Sequence, residues 1–259
     1  MKGRVAFVTG GSSGIGEACA RLFVEHGARV VIAGRRRERL DAIANELGAA
    51  CHPRVLDVRD TAEVGRVFAD LPAAFQAVDV LVNAAGGALG IARAQEAKLS
   101  DWDEMIGANV TGLVHVTRAA LAGMIARGRG HVVNLGSVAG SFPYPGGNVY
   151  GATKAFVERF SSNLRADLLG TPVRVTNVEP GMVETEFSVV RFGGDKAKAD
   201  AVYADMTPLA AKDIADLVLF AVTRPAHVNV NRIEVMPTAQ AFSPFAVHRS
   251  PTGPKPEKA

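Results

Sequence analysis

The sequence predicts an α/β fold in which a doubly wound parallel sheet carries helices on both faces. Short β-branched runs alternate with amphipathic stretches along most of the 259 residues. The runs are almost continuously apolar, as in VDVLV at residues 78–82, which is typical of strands that are buried on both faces. Because strands that alternate with helices form right-handed βαβ crossovers, we expect them to lie parallel in one sheet.

The predicted elements follow one another in a regular order. Strands are predicted at Val5–Thr9 and at residues 29–33, 52–56, 78–82, 131–135, 173–178 and 232–236. Amphipathic helices are predicted at residues 15–26 and Arg37–Leu47. Residues 182–205 have no clean period and are predicted to form an irregular substrate lid. We therefore expect one domain over residues 1–240 that contains this lid, then an extension at 241–259 whose Pro- and Lys-rich end is predicted to be disordered.

The composition excludes several classes of protein. With 29 basic and 26 acidic residues the formal net charge is +3, which is too balanced for the basic stripe of a nucleic-acid binder. Cys19 and Cys51 are expected to be free thiols in a reducing compartment, and the 6 histidines show no metal-ligand spacing. The chain enters a strand almost at once, and no apolar run approaches the ~20 residues that span a bilayer. We therefore expect a cytoplasmic protein with no signal peptide, no membrane partner and no metal.

A glycine-rich turn joins the first strand to the first helix. A strand, such a turn and a helix together present backbone N–H groups and the positive end of the helix dipole to a pyrophosphate. A purely structural tight turn is the alternative, but the flanking strand and helix favour a Rossmann-like dinucleotide site. The residues predicted to cradle the phosphates are Gly10, Ser12, Ser13, Gly14, Ile15 and Gly16.

The end of the second strand indicates which nicotinamide cofactor is bound. NAD enzymes place a carboxylate there to hold the ribose 2′-hydroxyl, and this carboxylate repels a 2′-phosphate. Here the sequence is AGRRR, without an acidic residue. We predict NADP(H), with Arg35 on the 2′-phosphate and Arg36 supporting it, because a guanidinium matches phosphate geometry. The alternative is a solvated basic cluster, which the dipole at a helix start would disfavour.

The spacing T-G-x-x-x-G-x-G of the turn resembles the cofactor turn of the short-chain dehydrogenase/reductase family. Four more segments of this chain match that family in order, and the resemblance covers essentially residues 4–237. Residues 83–86 (NAAG) are similar to its N-N-A-G strand end, and residues 180–185 (PGMVET) to the element that cradles the nicotinamide amide. The resemblance implies that the catalytic residues are Asn109, Ser137, Tyr150 and Lys154. It also implies a homotetramer and a cofactor site completed by Asp57, Val58, Asn83, Ala84, Gly86, Tyr150, Lys154, Pro180, Gly181, Val183 and Thr185.

The residue types of this set suit carbonyl–alcohol chemistry. Tyr150 and Lys154 are four residues apart and share one face of a helix predicted to begin near residue 148. We expect the ammonium to lower the phenol pKa from about 10, so that Tyr150 can give or take the proton. Ser137, just after a strand, is expected to hold the substrate oxygen. The family resemblance implies that Asn109 tethers a water to Lys154.

A narrower resemblance concerns the substrate. Residues 140–157, 185–192 and 225–231 are similar to bacterial NADP-dependent 3-hydroxy acid dehydrogenases, which act on serine, allo-threonine, 3-hydroxypropionate or malonic semialdehyde. We therefore expect a small 3-hydroxy acid as substrate, with Arg191 of the lid pairing with its carboxylate and Phe142 also in contact. Arg191 as a solvated surface residue is the alternative. Two other functions stay open: a reductase of a bulkier ketone, aldehyde or 3-oxoacyl thioester, and an NADPH-sensing scaffold.

Overall fold

In the computed structural model, which describes residues 1–242 and residue 247, a central parallel sheet lies between two layers of helices. The strands are β1 Val5–Thr9, β2 Arg29–Gly34, β3 Cys51–Val55, β4 Val78–Asn83, β5 Gly130–Leu135, β6 Val173–Pro180, β7 Val183–Glu184, β8 Leu209–Ala210 and β9 Arg232–Val235. Seven of them form the central sheet in the order β3-β2-β1-β4-β5-β6-β9, and two short parallel strands, β7 and β8, form a second sheet.

The helices connect successive strands and cover both faces of the sheet. In chain order they are α1 Gly14–Glu25, α2 Arg37–Leu47, α3 Thr61–Ala69, α4 Leu99–Ile106, α5 Leu113–Ala126, α6 Asn148–Asp167, α7 Glu186–Arg191, α8 Lys196–Val202 and α9 Ala211–Thr223. A π-helical segment, Gly107–Gly112, links α4 to α5. The predicted doubly wound α/β fold is confirmed, and the predicted strands and helices are present with ends shifted by one or two residues.

The order of the strands places a crevice at one edge of the sheet. From β1 the chain moves outwards to β2 and β3, then returns to β4 on the other side of β1. Ligands of open α/β sheets bind where the strand order reverses, outside the carboxyl ends of the strands. The ends of β1, β4, β5 and β6 therefore surround the candidate site.

Two apolar layers hold the sheet in place. One layer joins β1, β2 and β4 to α1, α2 and α9 and includes Phe23, Leu40 and Ile214, all inaccessible to solvent. The other lies on the opposite face, under α3, α5 and α6, and includes Phe7 and Met124. Both faces of the central strands are therefore dry, which explains why their sequences do not alternate. Cys19 and Cys51 are buried and not disulfide-bonded.

The segment at 182–205 contains β7, α7 and α8, so the prediction that it is irregular is wrong, while its role as a substrate lid stays a prediction. The Thr185 and Asp195 side chains cap the starts of α7 and α8 by accepting hydrogen bonds from Phe187 and Lys198 amides. Gly193 and Gly194, both with positive φ, separate the two helices. Each helix is too short to show a period. The predicted disorder at the end of 241–259 lies outside the described residues.

Within residues 1–242 and 247, no helix is both long and apolar enough to cross a bilayer.

Candidate active site

The glycine-rich turn lies between β1 and α1, where the strand order reverses. Gly10 has a φ of 68°, and a Cβ on it would lie 2.7 Å from the carbonyl oxygen of Ala84, so glycine is required there. Gly14 begins α1, also at a positive φ of 56°. The side chain of Ser13, the preceding residue, makes no capping hydrogen bond to the helix. The first amides of α1 are therefore open to an anion in the crevice.

The other predicted turn residues lie in the same loop. Ser12 is buried and its hydroxyl faces Arg36. Ile15 and Gly16 belong to the first turn of α1, and a Cβ on Gly16 would collide with the carbonyl oxygen of Gly10. The turn thus folds back tightly on its own helix, which brings its backbone close to any bound phosphate.

The end of β4 is tied to this turn by Thr9, which sequence analysis did not single out. Thr9 Oγ1 accepts hydrogen bonds from the amide of Ala84 at 3.1 Å and from the next amide at 3.0 Å. Asn83 is buried, and its side chain donates to Thr117 and Asn134 at 2.8 Å each. A contact of Asn83 with the cofactor therefore stays a prediction, whereas Ala84 is only partly buried.

Arg36 lies directly against the glycine-rich turn. Its Nη2 atom donates to Ser13 Oγ at 2.6 Å and to Ser12 Oγ at 3.2 Å. Arg35 points away from the turn, and its Nη1 atom lies 3.3 Å from a carboxylate oxygen of Glu104 on α4. The structure therefore gives Arg36, not Arg35, the more direct place beside the predicted phosphate site.

A third arginine, Arg39 on α2, stands beside Arg36. Both guanidinium groups pair with the carboxylate of Glu186, Arg36 at 2.8 Å and Arg39 at 2.5 Å. We call Arg35, Arg36 and Arg39 the arginine cluster. Sequence analysis missed Arg39, although its spacing of one helical turn from Arg36 is a signal that could have found it.

Two further predicted cofactor residues follow β3. The side chain of Arg59 donates hydrogen bonds to the Asp57 carboxylate, which keeps the pKa of Asp57 below its usual value. Val58 is buried, and its side chain packs against Gly112 of the π-helical segment. Both lie at the edge of the crevice, and their contacts with a cofactor remain predictions.

Ser137, Tyr150 and Lys154 come together between β5 and α6, and we call them the Tyr150 centre. The hydroxyl of Ser137 lies beside the Tyr150 phenol, whose pKa it lowers, and it accepts a hydrogen bond from the amide of Ala139 at 3.1 Å. Lys154 Nζ donates to the carbonyl oxygen of Leu135 at 2.7 Å and lies 5.8 Å from the centroid of the Tyr150 ring. The predicted start of the helix at residue 148 and the shared face of Tyr150 and Lys154 agree with this geometry.

The Tyr150 pKa is shifted in the opposite direction from the one expected. Burial of the phenol raises its pKa, and the Ser137 hydroxyl and the charge of Arg191 offset this only in part. The Lys154 ammonium is directed at the Leu135 carbonyl, and burial lowers its own pKa to about 8. Tyr150 is therefore protonated at neutral pH, which is the state of a proton donor.

Asn109 lies in the π-helical segment and clamps the loop after β4. Its amide exchanges two hydrogen bonds of 2.9 Å with the main chain of Gly87 and donates a third to Thr153 Oγ1 at 3.0 Å. Gly86, with a φ of 148°, passes so close that a Cβ on it would lie 2.5 Å from Asn109 Oδ1. Thr153 is the neighbour of Lys154, so Asn109 reaches the Tyr150 centre through Thr153. Its water tether to Lys154 remains a prediction.

The segment after β6 closes the crevice opposite the glycine-rich turn. The carbonyl oxygen of Pro180 accepts a 3.4 Å hydrogen bond from Ser137, and the amide of Gly181 donates to Val235. Val183 is buried in β7, and the Thr185 side chain lies 3.5 Å from the position that a Cβ on Gly14 would take. The segment after β6, predicted to hold the nicotinamide, therefore lies against the glycine-rich turn, predicted to hold the phosphates.

Arg191, at the end of α7, lies over the Tyr150 centre. Its guanidinium carbon is 5.8 Å from the centroid of the Tyr150 ring and 5.3 Å from that of Tyr144. Nη2 donates to the Tyr144 hydroxyl at 2.8 Å, and Nε to the carbonyl oxygen of Gly90 at 3.2 Å. The ring of Phe187 packs against Tyr150, with centroids 5.6 Å apart. Helix α7 thus places the guanidinium of Arg191 and the ring of Phe187 beside Tyr150, the candidate proton donor.

Phe142, the other predicted substrate residue, packs against Phe242 with ring centroids 5.4 Å apart, and its substrate contact remains a prediction. Sequence analysis also missed Tyr144 as a residue of the site, because its place depends on a contact between distant segments. In the part of the chain that the structure describes, no three His, Cys, Asp or Glu residues are grouped as metal ligands.

The chain belongs to the short-chain dehydrogenase family, as the motifs predicted, and a model of that family matches residues 4–193. The NADP-dependent 3-hydroxy acid dehydrogenase YdfG of Salmonella typhi is 53% identical over 247 residues, which cover 95% of this chain and 100% of the relative. Sulfoacetaldehyde reductase 2 of Chromohalobacter salexigens is 55% identical over 248 residues, 95% of this chain and 98% of the relative. The closed form of serine dehydrogenase complexed with NADP+ has a TM-score of 0.92 and 50% identity, covering 95% of this chain and 99% of that one. The prediction of an oxidoreductase is confirmed.

Proposed function

We propose that this short-chain dehydrogenase uses NADP(H) to interconvert the carbonyl and alcohol of a small acid whose anionic group lies one methylene from the reacting carbon. The observation that carries this proposal is the position of Arg191, a cation whose guanidinium carbon lies 5.8 Å from the ring centroid of the buried Tyr150. The predicted cofactor is confirmed by relatives and a solved neighbour that are named for NADP. The small 3-hydroxy acids predicted from sequence are the first substrates to consider.

The residues of the crevice fit NADP(H). The turn offers the open amides of α1 beside Gly10 and Gly14, and the arginine cluster offers guanidinium groups where an NAD enzyme would have a carboxylate. Arg36 and Arg39 would hold the 2′-phosphate, with Arg35 further out. Bound NADP(H) supplies or accepts the hydride, and its oxidised ring adds a positive charge to the pocket.

The Tyr150 centre would handle the proton. Tyr150 gives its proton to the substrate oxygen in the reducing direction, for which its raised pKa keeps it ready at neutral pH. Ser137 donates a hydrogen bond to the same oxygen, since its hydroxyl already faces the phenol. Lys154, held by the Leu135 carbonyl, would also bind the nicotinamide ribose and return the proton to Tyr150 through the water that Asn109 is proposed to tether.

Arg191 would select the anionic end of the substrate. Tyr144 accepts a hydrogen bond from the Arg191 guanidinium, and its ring packs against the same group. The Nη1 atom of Arg191 would then meet an anion near Tyr150. Phe187 shields the same space, and partial exclusion of water strengthens a charge pair there. Two substituents fit this description, a carboxylate as in malonic semialdehyde and a sulfonate as in sulfoacetaldehyde.

The sulfonate is a second candidate because a relative that is 55% identical is named sulfoacetaldehyde reductase. Both aldehydes place one methylene between the carbonyl carbon and the anionic group, so a single arginine can serve either. A bulkier ketone, aldehyde or acyl thioester lacks a charge partner at this position. A non-catalytic NADPH sensor has no need of a buried proton donor beside a cation.

The test is the ratio kcat/KM for a matched panel with NADPH and with NADH. The panel contains malonic semialdehyde, sulfoacetaldehyde and uncharged propionaldehyde, and the reverse reaction is measured with L-serine and 3-hydroxypropionate in the presence of NADP+ or NAD+. We expect both anionic aldehydes to exceed propionaldehyde by at least about tenfold, the value of one modest charge-assisted contact. A preference for propionaldehyde would refute the anionic substrate, and no turnover of any member would favour the sensor.

We also propose that the protein is cytoplasmic and a homotetramer. The two buried free thiols suit a reducing compartment. Ile106, Ile125 and Phe156 leave large apolar side chains exposed on α4, α5 and α6, which contact between copies would cover. Light scattering of the purified protein, with a single species near four times 27.1 kDa expected, tests the assembly.

A further inference from the structure

The carboxylate of Glu186 lies between two members of the arginine cluster. Glu186 Oε2 is 2.8 Å from Arg36 Nη1, and its other oxygen pairs with Arg39. The residues come from opposite walls of the crevice, since the arginines follow β2 and Glu186 is the first residue of α7. The contact therefore bridges the phosphate side of the crevice and the lid.

A carboxylate held in this way has the same chemistry as a phosphate. Both are anions that take guanidinium N–H donors, but a phosphate monoester carries a charge of about −1.5 to −2 and three acceptor oxygens. Arg36 already uses its Nη2 atom on Ser12 and Ser13, so Nη1 is the donor that it gives to Glu186. A 2′-phosphate and Glu186 would compete for that donor, and the two anions repel each other.

We propose that Glu186 is a built-in competitor of the cofactor's 2′-phosphate, which displaces it from Arg36 and Arg39 when NADP(H) binds. This inference rests on the proposed use of NADP(H). Glu186 occupies the arginines while the cofactor is absent, and it keeps the N-terminal end of α7 on the phosphate side of the crevice. Displacement frees that end of the helix.

The position of Glu186 gives the displacement a consequence for the substrate site. Phe187, the next residue, packs on Tyr150, and Arg191 ends the same helix. The C-terminal end of α7 is fixed separately, because the main chain of Arg191 accepts a hydrogen bond from the Gly90 amide at 2.9 Å. Release at one end therefore lets α7 move about the other, which links occupation of the 2′-phosphate site to the residues around Tyr150.

The binding experiment compares Glu186→Gln with Glu184→Gln in the full-length protein. Glu184 is exposed on β7 and forms no ion pair with the described residues, so its variant removes the same charge without the contact. By isothermal titration we expect Glu186→Gln to bind NADPH roughly five times more tightly than wild type, the scale of one screened unit charge at contact distance. NADH affinity should change less than about twofold in either variant.

The outcomes separate this inference from the function on which it rests. If wild type does not prefer NADPH to NADH, the proposed cofactor selection fails. If wild type prefers NADPH but Glu186→Gln binds it no more tightly, or more weakly, Glu186 positions the arginines and the competitor is refuted. An equal gain in Glu184→Gln would reduce the effect to net charge and would also refute it.

Hydrogen exchange tests the movement of α7 without any nicotinamide contact. The probe is 2′,5′-ADP, which carries the 2′-phosphate and lacks the nicotinamide half, with 5′-ADP as its control. In wild type we expect 2′,5′-ADP, but not 5′-ADP, to speed exchange in the first turn of α7 by roughly threefold or more. Glu186→Gln should show fast exchange before any addition. Unchanged exchange in wild type saturated with 2′,5′-ADP would overturn the proposed release.

Discussion

The Tyr150 centre and the arginine cluster lie at two ends of one crevice and hold their charges in different surroundings. At the Tyr150 centre burial raises the pKa of Tyr150 and lowers that of Lys154 to about 8. In the arginine cluster the side chains of Arg36, Arg39 and Arg35 are 43%, 49% and 62% exposed. Water and salt therefore screen the cluster, whereas they reach the Tyr150 centre poorly.

The comparison indicates what each end contributes. A buried phenol beside Ser137 is positioned by neighbours that cannot rearrange cheaply, so chemistry there depends on single atoms. The exposed arginine cluster has several guanidinium donors for one anion, so the remaining donors can compensate when one arginine is replaced. Substitutions at the Tyr150 centre should thus change kcat strongly, and those in the cluster should change binding moderately and in a salt-dependent way.

The largest effect is expected from Tyr150→Phe. Removal of the hydroxyl leaves the ring packing on Phe187 but removes the proton donor, so kcat should fall by roughly 10²–10⁴. NADPH affinity, measured by titration, should stay within about threefold of wild type. A Tyr150→Phe enzyme that keeps more than about a tenth of kcat would show that another group moves the proton.

The second-largest effect is expected in the arginine cluster, where Arg36 and Arg35 should contribute unequally to NADPH binding. Arg36→Gln removes donors that already meet Ser12 and Ser13, so it should weaken NADPH binding by about 10- to 100-fold, the range of a charge-assisted hydrogen bond. Arg35→Gln should cost only about threefold, because Arg35 lies further out, beside Glu104. Titrations at two salt concentrations check both values. A larger loss for Arg35→Gln would restore the order expected from sequence.

Arg191→Ala should have a smaller effect that divides the substrates. We expect KM for malonic semialdehyde to rise by roughly tenfold, which corresponds to about 1.4 kcal/mol. KM for propionaldehyde should be nearly unchanged, and Tyr144→Phe, which removes only the 2.8 Å hydrogen bond to Arg191, should give a weaker form of the same pattern. Equal losses for both aldehydes would make Arg191 a structural residue of the lid.

The strands of the sheet could be predicted from the sequence because each strand is marked by residues within and next to it. Apolar runs bounded by Gly, Pro and charged residues located strands such as β1 and β6 within two residues of their ends. The catalytic residues Ser137, Tyr150 and Lys154 could also be predicted, because their spacing along the chain is part of the family motif. Helices α7 and α8 were missed because six or seven residues hold too few periods, and their start depends on the Thr185 and Asp195 caps.

The remaining features could not be predicted because they depend on contacts between distant segments. Arg35 and Arg36 are adjacent, and only the fold decides which of them turns back to the glycine-rich turn. The partner of Arg36 on the lid, Glu186, is 150 residues away in sequence. The pKa of Tyr150 follows from burial, which a spacing of four residues to Lys154 does not reveal.

The smallest expected effect concerns the free energy of unfolding and tests the burial of Lys154 in the Tyr150 centre. Burial lowers the pKa of Lys154 from 10.5 to about 8 in the folded protein. Between these two values the unfolded chain keeps a proton that the folded protein has lost, so this group makes stability rise as pH increases from about 8 to 10.5. Below pH 8 the folded protein bears the full cost of the buried ammonium.

Lys154→Met should remove that cost together with the activity, because it keeps most of the length of the side chain and lacks the charge. We expect the variant to be more stable than wild type by about 1 kcal/mol at pH 7, less than the full pKa shift implies because the Leu135 carbonyl accepts a hydrogen bond from the ammonium. The advantage should shrink as pH rises from 8 towards 10, since wild type then loses the charge. Urea unfolding of both proteins across this range gives the difference, and Lys212→Met on the exposed side of α9 serves as the control. Parallel curves for wild type and Lys154→Met would mean that Lys154 is well solvated, and the contrast between the two ends of the crevice would then lose its electrostatic basis.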